Sequence, residues 1–276
     1  MSLVAAIQMA SGPKVDANLI EAARLISLAV AKGAKLVALP ENFYLMGMKE
    51  TDKVAIMEED GDGPIQNFLK EQASKHHVWL VGGTVPIKAD AANKVRAACL
   101  VYNDQGERVA RYDKIHLFDV NLAENNENET YRESETIEPG DEIVIVETPF
   151  CKLGLAICYD LRFPELFRYM AREGAEVIVL PSAFTDITGK AHWETLVRAR
   201  AIENLAYVIA PCQGGFHANG RQTYGDSMIV DPWGRVQDRL PKGSGVVMAE
   251  VDCRKVQATR SSFPALEHRK VFCDLP

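Results

Sequence analysis

Two stretches of this chain are spelled almost alike. Gly33-Ala34-Lys35-Leu36-Val37-Ala38-Leu39-Pro40 lines up with Gly174-Ala175-Glu176-Val177-Ile178-Val179-Leu180-Pro181. Each follows a helical pattern, opens on a glycine suited to end that helix, and runs as a short apolar strand into a proline. Glu41 follows one proline and Ser182 the other. Such an echo predicts two similar αβ halves whose strands end at the same rim.

The rest of the chain fills in that plan. Leu3 to Met9 reads as a buried strand, and Leu19, Ala22, Ala23, Ile26, Ala29 and Val30 recur at helical spacing. A helix is expected over 64–77, a strand over 78–85 and a hairpin over 97–112 that turns at Asn103-Asp104-Gln105-Gly106. Further strands are expected over 143–146, 153–157, 177–180, 208–211, 227–230 and 246–251, with helices over 164–173 and 191–205. Hairpins interrupt the alternation, so a purely parallel doubly wound sheet fits poorly. No composition break or Gly/Ser linker divides residues 1–276, which reads as one domain.

Composition excludes several classes of function. A net charge of -7 lacks the basic footprint that phosphate contacts need, so no nucleic-acid partner is expected. No apolar run reaches the length of a membrane span, and Met1 to Ala10 lacks the basic and apolar regions of a secretory signal. The six cysteines form no Cys-x-x-Cys pair and read as reduced thiols of a cytoplasmic protein. No His-Glu-x-x-His or Cys/His spacing calls for a metal. Gly82-Gly83 and Gly61-Asp62-Gly63 fit neither a P-loop nor a dinucleotide fingerprint and read as turns.

The chemistry concentrates around Cys158. The apolar run Leu153 to Ile157 ends abruptly at this thiol, and Asp160, Arg162 and Glu165 follow, with Pro164 at the expected start of a helix. A cysteine on a strand–turn–helix junction is open to substrate, and a helix N-terminus there would favour the thiolate. Glu41 and Lys114 also stand just beyond apolar runs. A carboxylate so placed can serve as general base and a lysine can face an oxyanion. Glu41 can equally be a helix-start carboxylate and Lys114 a solvated hairpin end. Spacing alone does not bring the three together.

Pro-Glu-Asn-Phe at 40–43, Tyr-Asp-Lys-Ile-His-Leu-Phe-Asp at 112–119 and Ile-Cys-Tyr-Asp-Leu-Arg-Phe-Pro-Glu at 157–165 resemble the nitrilase superfamily of carbon–nitrogen hydrolases. Pro-Ser-Ala-Phe at 181–184 and Ala-His-Trp-Glu at 191–194 extend the match in family order. The resemblance implies a four-layer α-β-β-α sandwich, assembled as a homodimer, that needs no metal or organic cofactor. It makes Cys158 the nucleophile, Glu41 the general base and Lys114 the oxyanion-stabilising lysine. Glu133 matches the second glutamate that holds lysine and substrate, and the backbone N–H of Tyr159 the second oxyanion donor.

The stretch from Pro181 to Glu194, with Cys212-Gln213-Gly214-Gly215 and Tyr224 to Met228, is similar to the branch that hydrolyses deaminated glutathione. The alternative is the ω-amidase branch acting on 2-oxoglutaramate, or a non-catalytic binding protein on the same scaffold. Either substrate is a small amide carrying a carboxylate beside a 2-oxo group, so a cation is expected deep in the pocket. Arg162 is the candidate, its guanidinium fork matching a carboxylate, unless it pairs with Asp160 or Glu165. Phe184, Thr185 and Thr188 follow a strand end and can line the pocket, Phe184 equally as a core aromatic. The polar segment from Asn121 to Tyr131 departs from the family pattern and reads as a solvated loop or a lid. His116 and His192 lie in family-like segments, which argues against a Cys-His pair.

Overall fold

A computed structural model describes residues 1–124 and 127–271. Two sheets dominate it. In the first, Gly245–Val251, Ser2–Gln8, Leu36–Ala38, Trp79–Val81 and Val95–Tyr102 lie side by side, with Val85–Lys88 and Arg108–Asp113 also paired to Val95–Tyr102. In the second, the order is Val236–Leu240, Ser227–Val230, Tyr207–Ala210, Val177–Val179, Lys152–Leu155 and Ile145–Glu147. Each sheet is built around three parallel strands flanked on both sides by antiparallel ones. The echoed segments supply the middle strand of each trio.

Burial explains why these strands read as continuous apolar runs. Val4, Ala6, Leu36 and Ala38 pack in one cluster with residues of the second sheet, such as Leu153 and Val177. Their neighbours Ala5, Ile7, Val37 and Leu39 pack in another, with Leu25 and Ile26 of helix Val15–Ala31 and Ile65 and Leu69 of helix Pro64–His76. Alternate residues therefore face a helix and a sheet, and both must be apolar. Helices Pro164–Arg172 and Asp186–Asn204 cover the second sheet through Phe167, Trp193, Val197 and Ala201. The layers run α-β-β-α, as the resemblance implied.

Several expectations need correction. The strand expected over 78–85 is broken at Gly82-Gly83, and its two parts, Trp79–Val81 and Val85–Lys88, pair with Val95–Tyr102 one residue out of register. Gly83 has φ +55°, and a Cβ there would stand 2.1 Å from the Pro40 carbonyl oxygen. The close approach of the Pro40 segment forces the break. The helix expected from residue 191 begins at Asp186, because the Thr185 hydroxyl accepts the Thr188 N–H at 3.2 Å as an N-cap. Gly189 sits inside its first turns, where a Cβ would lie 2.2 Å from Tyr224, so this glycine is a packing residue and not a breaker.

The third correction concerns the cysteines. Cys151 and Cys253 form a disulfide with Cα atoms 6.0 Å apart. Cys151 precedes strand Lys152–Leu155 of the second sheet, and Cys253 opens helix Cys253–Ser262, directly after the Gly245–Val251 strand of the first. The bridge ties the two halves together, a proximity that residues 102 positions apart do not reveal in sequence. Cys99, Cys158 and Cys212 are free and buried, and Cys273 lies outside the described residues.

The polar segment is not an irregular loop. Asp119–Glu124 pairs antiparallel with Glu127–Arg132 as a hairpin standing apart from both sheets. Its tip, 125–126, lies outside the described residues. No helix among the described residues is long and apolar enough to cross a membrane.

Candidate active site

Four chain segments end at one cavity of about 400 Å³. Glu41 follows strand Leu36–Ala38, Lys114 follows Arg108–Asp113, Glu133 follows the hairpin strand Glu127–Arg132, and Cys158 follows Lys152–Leu155. All four line the cavity, so the structure brings together the residues that spacing could not.

Lys114 is the hub. Its Nζ donates to Glu41 Oε1 at 2.8 Å and to both Glu133 oxygens at 2.8 Å. Its side chain is only 1% exposed. Burial acts to lower its pKa, yet the Glu133 and Glu41 carboxylates outweigh that and hold it well above the ordinary amine range. Lys114 is a fixed cation. Burial pushes Glu133 the other way, but the Lys114 charge wins and depresses its pKa, and Glu133 also accepts the Phe118 N–H at 2.7 Å.

The turn carrying Cys158 is held from several sides. Cys158 has φ +47°, a left-handed conformation uncommon for any residue but glycine, and its N–H donates to the Pro181 carbonyl at 2.9 Å. Asp160, fully buried, accepts the Ile157 N–H at 2.8 Å, the Tyr112 hydroxyl at 2.7 Å and the His116 N–H at 3.1 Å. His116 Nδ1 lies 2.6 Å from the same carboxylate, and its ring stacks on Phe163 at 3.7 Å. Arg200 donates twice to the Leu161 carbonyl, at 3.0 and 2.8 Å. His116 thus supports the turn and does not pair with the sulfur.

Burial and the neighbouring carboxylate act on the sulfur against the thiolate form. Burial raises the Cys158 pKa well above the ordinary thiol value, the Glu41 charge raises it further, and Lys114 and the Ala183 N–H only partly offset them. The short 3-10 turn Cys158–Arg162 intervenes before helix Pro164–Arg172, so that helix start does not open at the thiol. The expected help from a helix N-terminus gives way to desolvation. Glu41 is the carboxylate whose charge acts on this thiol.

The remaining candidates are arranged differently from one another. Tyr159 and Arg162 line the cavity beside Cys158. Arg162 pairs with neither Asp160 nor Glu165 in an ion pair; its guanidinium lies 5.8 Å from the Phe184 ring centre and 5.9 Å from that of Tyr159, with Nη2 3.3 Å from His192 Nδ1. Phe184 is both wall and core, since its ring packs on Trp193 at 4.8 Å. Thr185 and Thr188 line the cavity while their hydroxyls bond each other at 2.9 Å.

Sequence reasoning missed Asp160 as an organiser, and it missed Gln213 and Arg221. Gln213 donates its side-chain amide to the Glu41 carbonyl at 3.1 Å and to Ser11 Oγ at 2.8 Å, while its backbone N–H reaches the Ser182 carbonyl at 2.9 Å. It bridges the residues that follow the two echoed prolines. Asp160 was visible as a charge beside an apolar run. Gln213 lay in a segment noted only for its family spelling, and nothing in the spelling marked Arg221. Among the described residues, the one group spaced to hold a metal is Cys151, Glu176 and Cys253, and none of these lines the cavity.

The chain is similar to known proteins over nearly its whole length. The carbon–nitrogen hydrolase family matches residues 3–261. A deaminated glutathione amidase from Synechocystis sp. is 43% identical over 270 residues, covering 97% of each chain. The crystal structure of the Caenorhabditis elegans NitFhit protein superposes with a TM-score of 0.89 at 37% identity, over 98% of this chain, which spans 65% of that longer one. Saccharomyces cerevisiae Nit3, a member of branch 10 of the nitrilase superfamily, superposes with a TM-score of 0.87 at 32% identity, over 98% of this chain and 97% of its own. Matched over that span, and similar nearly end to end to an amidase, the chain belongs to the carbon–nitrogen hydrolases, enzymes that split amide C–N bonds.

Proposed function

We propose that this amidase hydrolyses deaminated glutathione to 2-oxoglutarate and cysteinylglycine through a thioester on Cys158. The observation that carries the reading is the contact of Lys114 with Glu41 and Glu133 at the cavity that the buried Cys158 also lines. As the sulfur adds to the amide carbon, its proton passes to Glu41. The oxyanion forms against Lys114 Nζ and the Tyr159 N–H. When the C–N bond breaks, Glu41 returns the proton to the departing amine. Water then adds to the thioester, giving a proton to Glu41, and the C–S bond breaks as the sulfur takes that proton back. Lys114 stays charged throughout, held by Glu133. No metal or organic cofactor enters these steps.

The substrate assignment draws on the Synechocystis relative and on the charge of the cavity wall. Beyond Glu41, Lys114 and Glu133, the lining holds Lys49, Lys53, Arg132, Arg162 and Arg221 against Glu50 alone. On a chain of net charge -7, that cationic wall suits an anionic amide. Arg162, over Phe184 and Tyr159, is assigned to the carboxylate of the 2-oxo acid, with Phe184, Thr185 and Thr188 along the acyl chain. Incubation with deaminated glutathione is expected to release both products. No product from this compound or from 2-oxoglutaramate, with the fold intact, would sink the reading. A clear kcat/KM preference for 2-oxoglutaramate moves the enzyme to ω-amidase. Full activity in Cys158→Ala would remove the nucleophile.

The proposal includes a cytoplasmic homodimer built from one-domain protomers. Exposed Ile202, Trp233 and Phe263 support an assembled state, Trp233 lying against Phe263 at 5.8 Å. Sedimentation of the protein as a monomer at micromolar concentration would count against it.

A further inference from the structure

Arg221 is a cation without a carboxylate. It follows the turn in which the His217 N–H reaches the Arg221 carbonyl at 2.9 Å, and it leads into strand Gln222–Tyr224. That turn fixes the backbone and aims the side chain at the cavity, which it lines. Nη2 donates to the Ala183 carbonyl at 3.1 Å, and the guanidinium lies 5.1 Å from the Tyr131 ring centre. Nε is buried with no hydrogen-bond partner, and no ion pair to Arg221 occurs among the described residues. Burial acts to lower its pKa, but Tyr131, Glu50 and Glu41 outweigh it, so the charge persists. The side chain as a whole is half-buried, but its buried Nε is a spare donor, costly unless a ligand acceptor answers it.

Of the other cations of the wall, Lys49 is exposed at the rim and two are already engaged. Lys53 is paired with Glu50 at 2.7 Å, and exposed Arg132 donates to the Tyr131 carbonyl and to Asn121. Arg162 sits elsewhere, over Phe184 and Tyr159. Two separate guanidinium groups in one cavity call for two separate anionic groups on the ligand. If Arg162 takes the carboxylate on the acyl side, the remaining anion must belong to the amine.

We propose that Arg221 binds a carboxylate on the leaving amine, so that the site selects 2-oxo-acid amides whose amine ends in a carboxylate over simple primary amides. This rests on the amidase reading above and names the specificity residue within it. Deaminated glutathione carries such a group on its terminal glycine, whereas 2-oxoglutaramate leaves only ammonia.

The test compares kcat/KM on three compounds: deaminated glutathione, its analogue with the glycine carboxyl amidated, and 2-oxoglutaramate. One charged hydrogen bond of about 1.5–3 kcal/mol corresponds to roughly 10- to 100-fold. Arg221→Met is expected to lose that factor on deaminated glutathione, mostly in KM, and less than about 3-fold on 2-oxoglutaramate. Wild-type enzyme is expected to lose the same factor on the amidated analogue, and Arg221→Met nothing further on it. Equal losses by Arg221→Met on all three compounds, or no wild-type penalty on the analogue, would overturn the proposal. The analogue arm needs no variant, so a poorly folding Arg221→Met leaves the test intact. Wild-type enzyme inactive on all three compounds overturns the substrate reading itself, a different result from unselective turnover.

Discussion

The Asp160 carboxylate accepts the Ile157 N–H at 2.8 Å, closing the turn that holds Cys158 at φ +47°. Four donors converge on this one buried carboxylate from Ile157, Tyr112 and His116. Asn in its place would present an amide N–H to one of those donors. Asp160→Asn is therefore expected to lower kcat by about 100-fold, the scale of an ångström of nucleophile misplacement, with KM little changed. It should also lower thermal stability, since a buried network loses an acceptor. Steady-state kinetics and calorimetry check both. A rise in KM at unchanged kcat would mean that Asp160 acts on binding.

Glu41 has opposite effects on reactivity and on turnover. Its charge raises the Cys158 pKa, whereas Lys114 lowers it. Glu41→Gln is expected to cost amide turnover about 100- to 10,000-fold, the range for a lost general base. The same change should speed alkylation of Cys158 by iodoacetamide at pH 7.5, because Lys114 then acts unopposed. Mass spectrometry of the labelled residue separates it from Cys99 and Cys212. Slower alkylation in Glu41→Gln would contradict the assigned balance of charges.

Stability is expected to fall in alkali. Burial raises the Cys99 and Cys158 thiol pKa values well above the ordinary range and pushes Cys212 up to about 12. An unfolded thiol titrates near roughly 8.5, so above that pH the unfolded chain releases protons that the folded chain retains. The stabilisation is complete below the unfolded pKa and is lost as pH rises toward the folded values. Each thiol contributes a slope of about 1.4 kcal/mol per pH unit in that window. Denaturant melts of Cys212→Ala from pH 7 to 10 should show a shallower decline than wild type, offset by a pH-independent packing cost.

The Cys151–Cys253 bridge closes a loop of 102 positions between the two halves. Cys253→Ser is expected to cost about 2–5 kcal/mol of unfolding free energy. Neither cysteine lines the cavity, so kcat/KM at 25 °C should hold. Urea melts and a non-reducing mass measurement check the two statements. An unchanged melt would show that the bridge does not constrain the unfolded chain.

What sequence could convey depended on how local the cause was. The strands Leu36–Ala38 and Val177–Val179 were legible because strands buried on both faces must be continuously apolar. The break at Gly83 was not, since it answers the Pro40 carbonyl, far away in sequence. Glu41, Lys114 and Cys158 were each visible as polar groups ending apolar runs, and only family spelling joined them. Arg162 was visible through its place in the Cys158 motif, and the structure puts it on the cavity wall over Phe184 and Tyr159. Arg221 lay in a turn of unremarkable composition, and only the Ala183 carbonyl and the Tyr131 ring give it a role.

Gln213 touches neither sulfur nor ammonium, yet it holds the Glu41 carbonyl with one group and the Ser182 carbonyl with another. Proton acceptor and nucleophile come from opposite halves of the molecule. Their separation is thus a tolerance of assembly, and the Gln213 amide is one of the links that span the seam beside them. A drift between the halves too small to alter any strand would still part the base from the thiol.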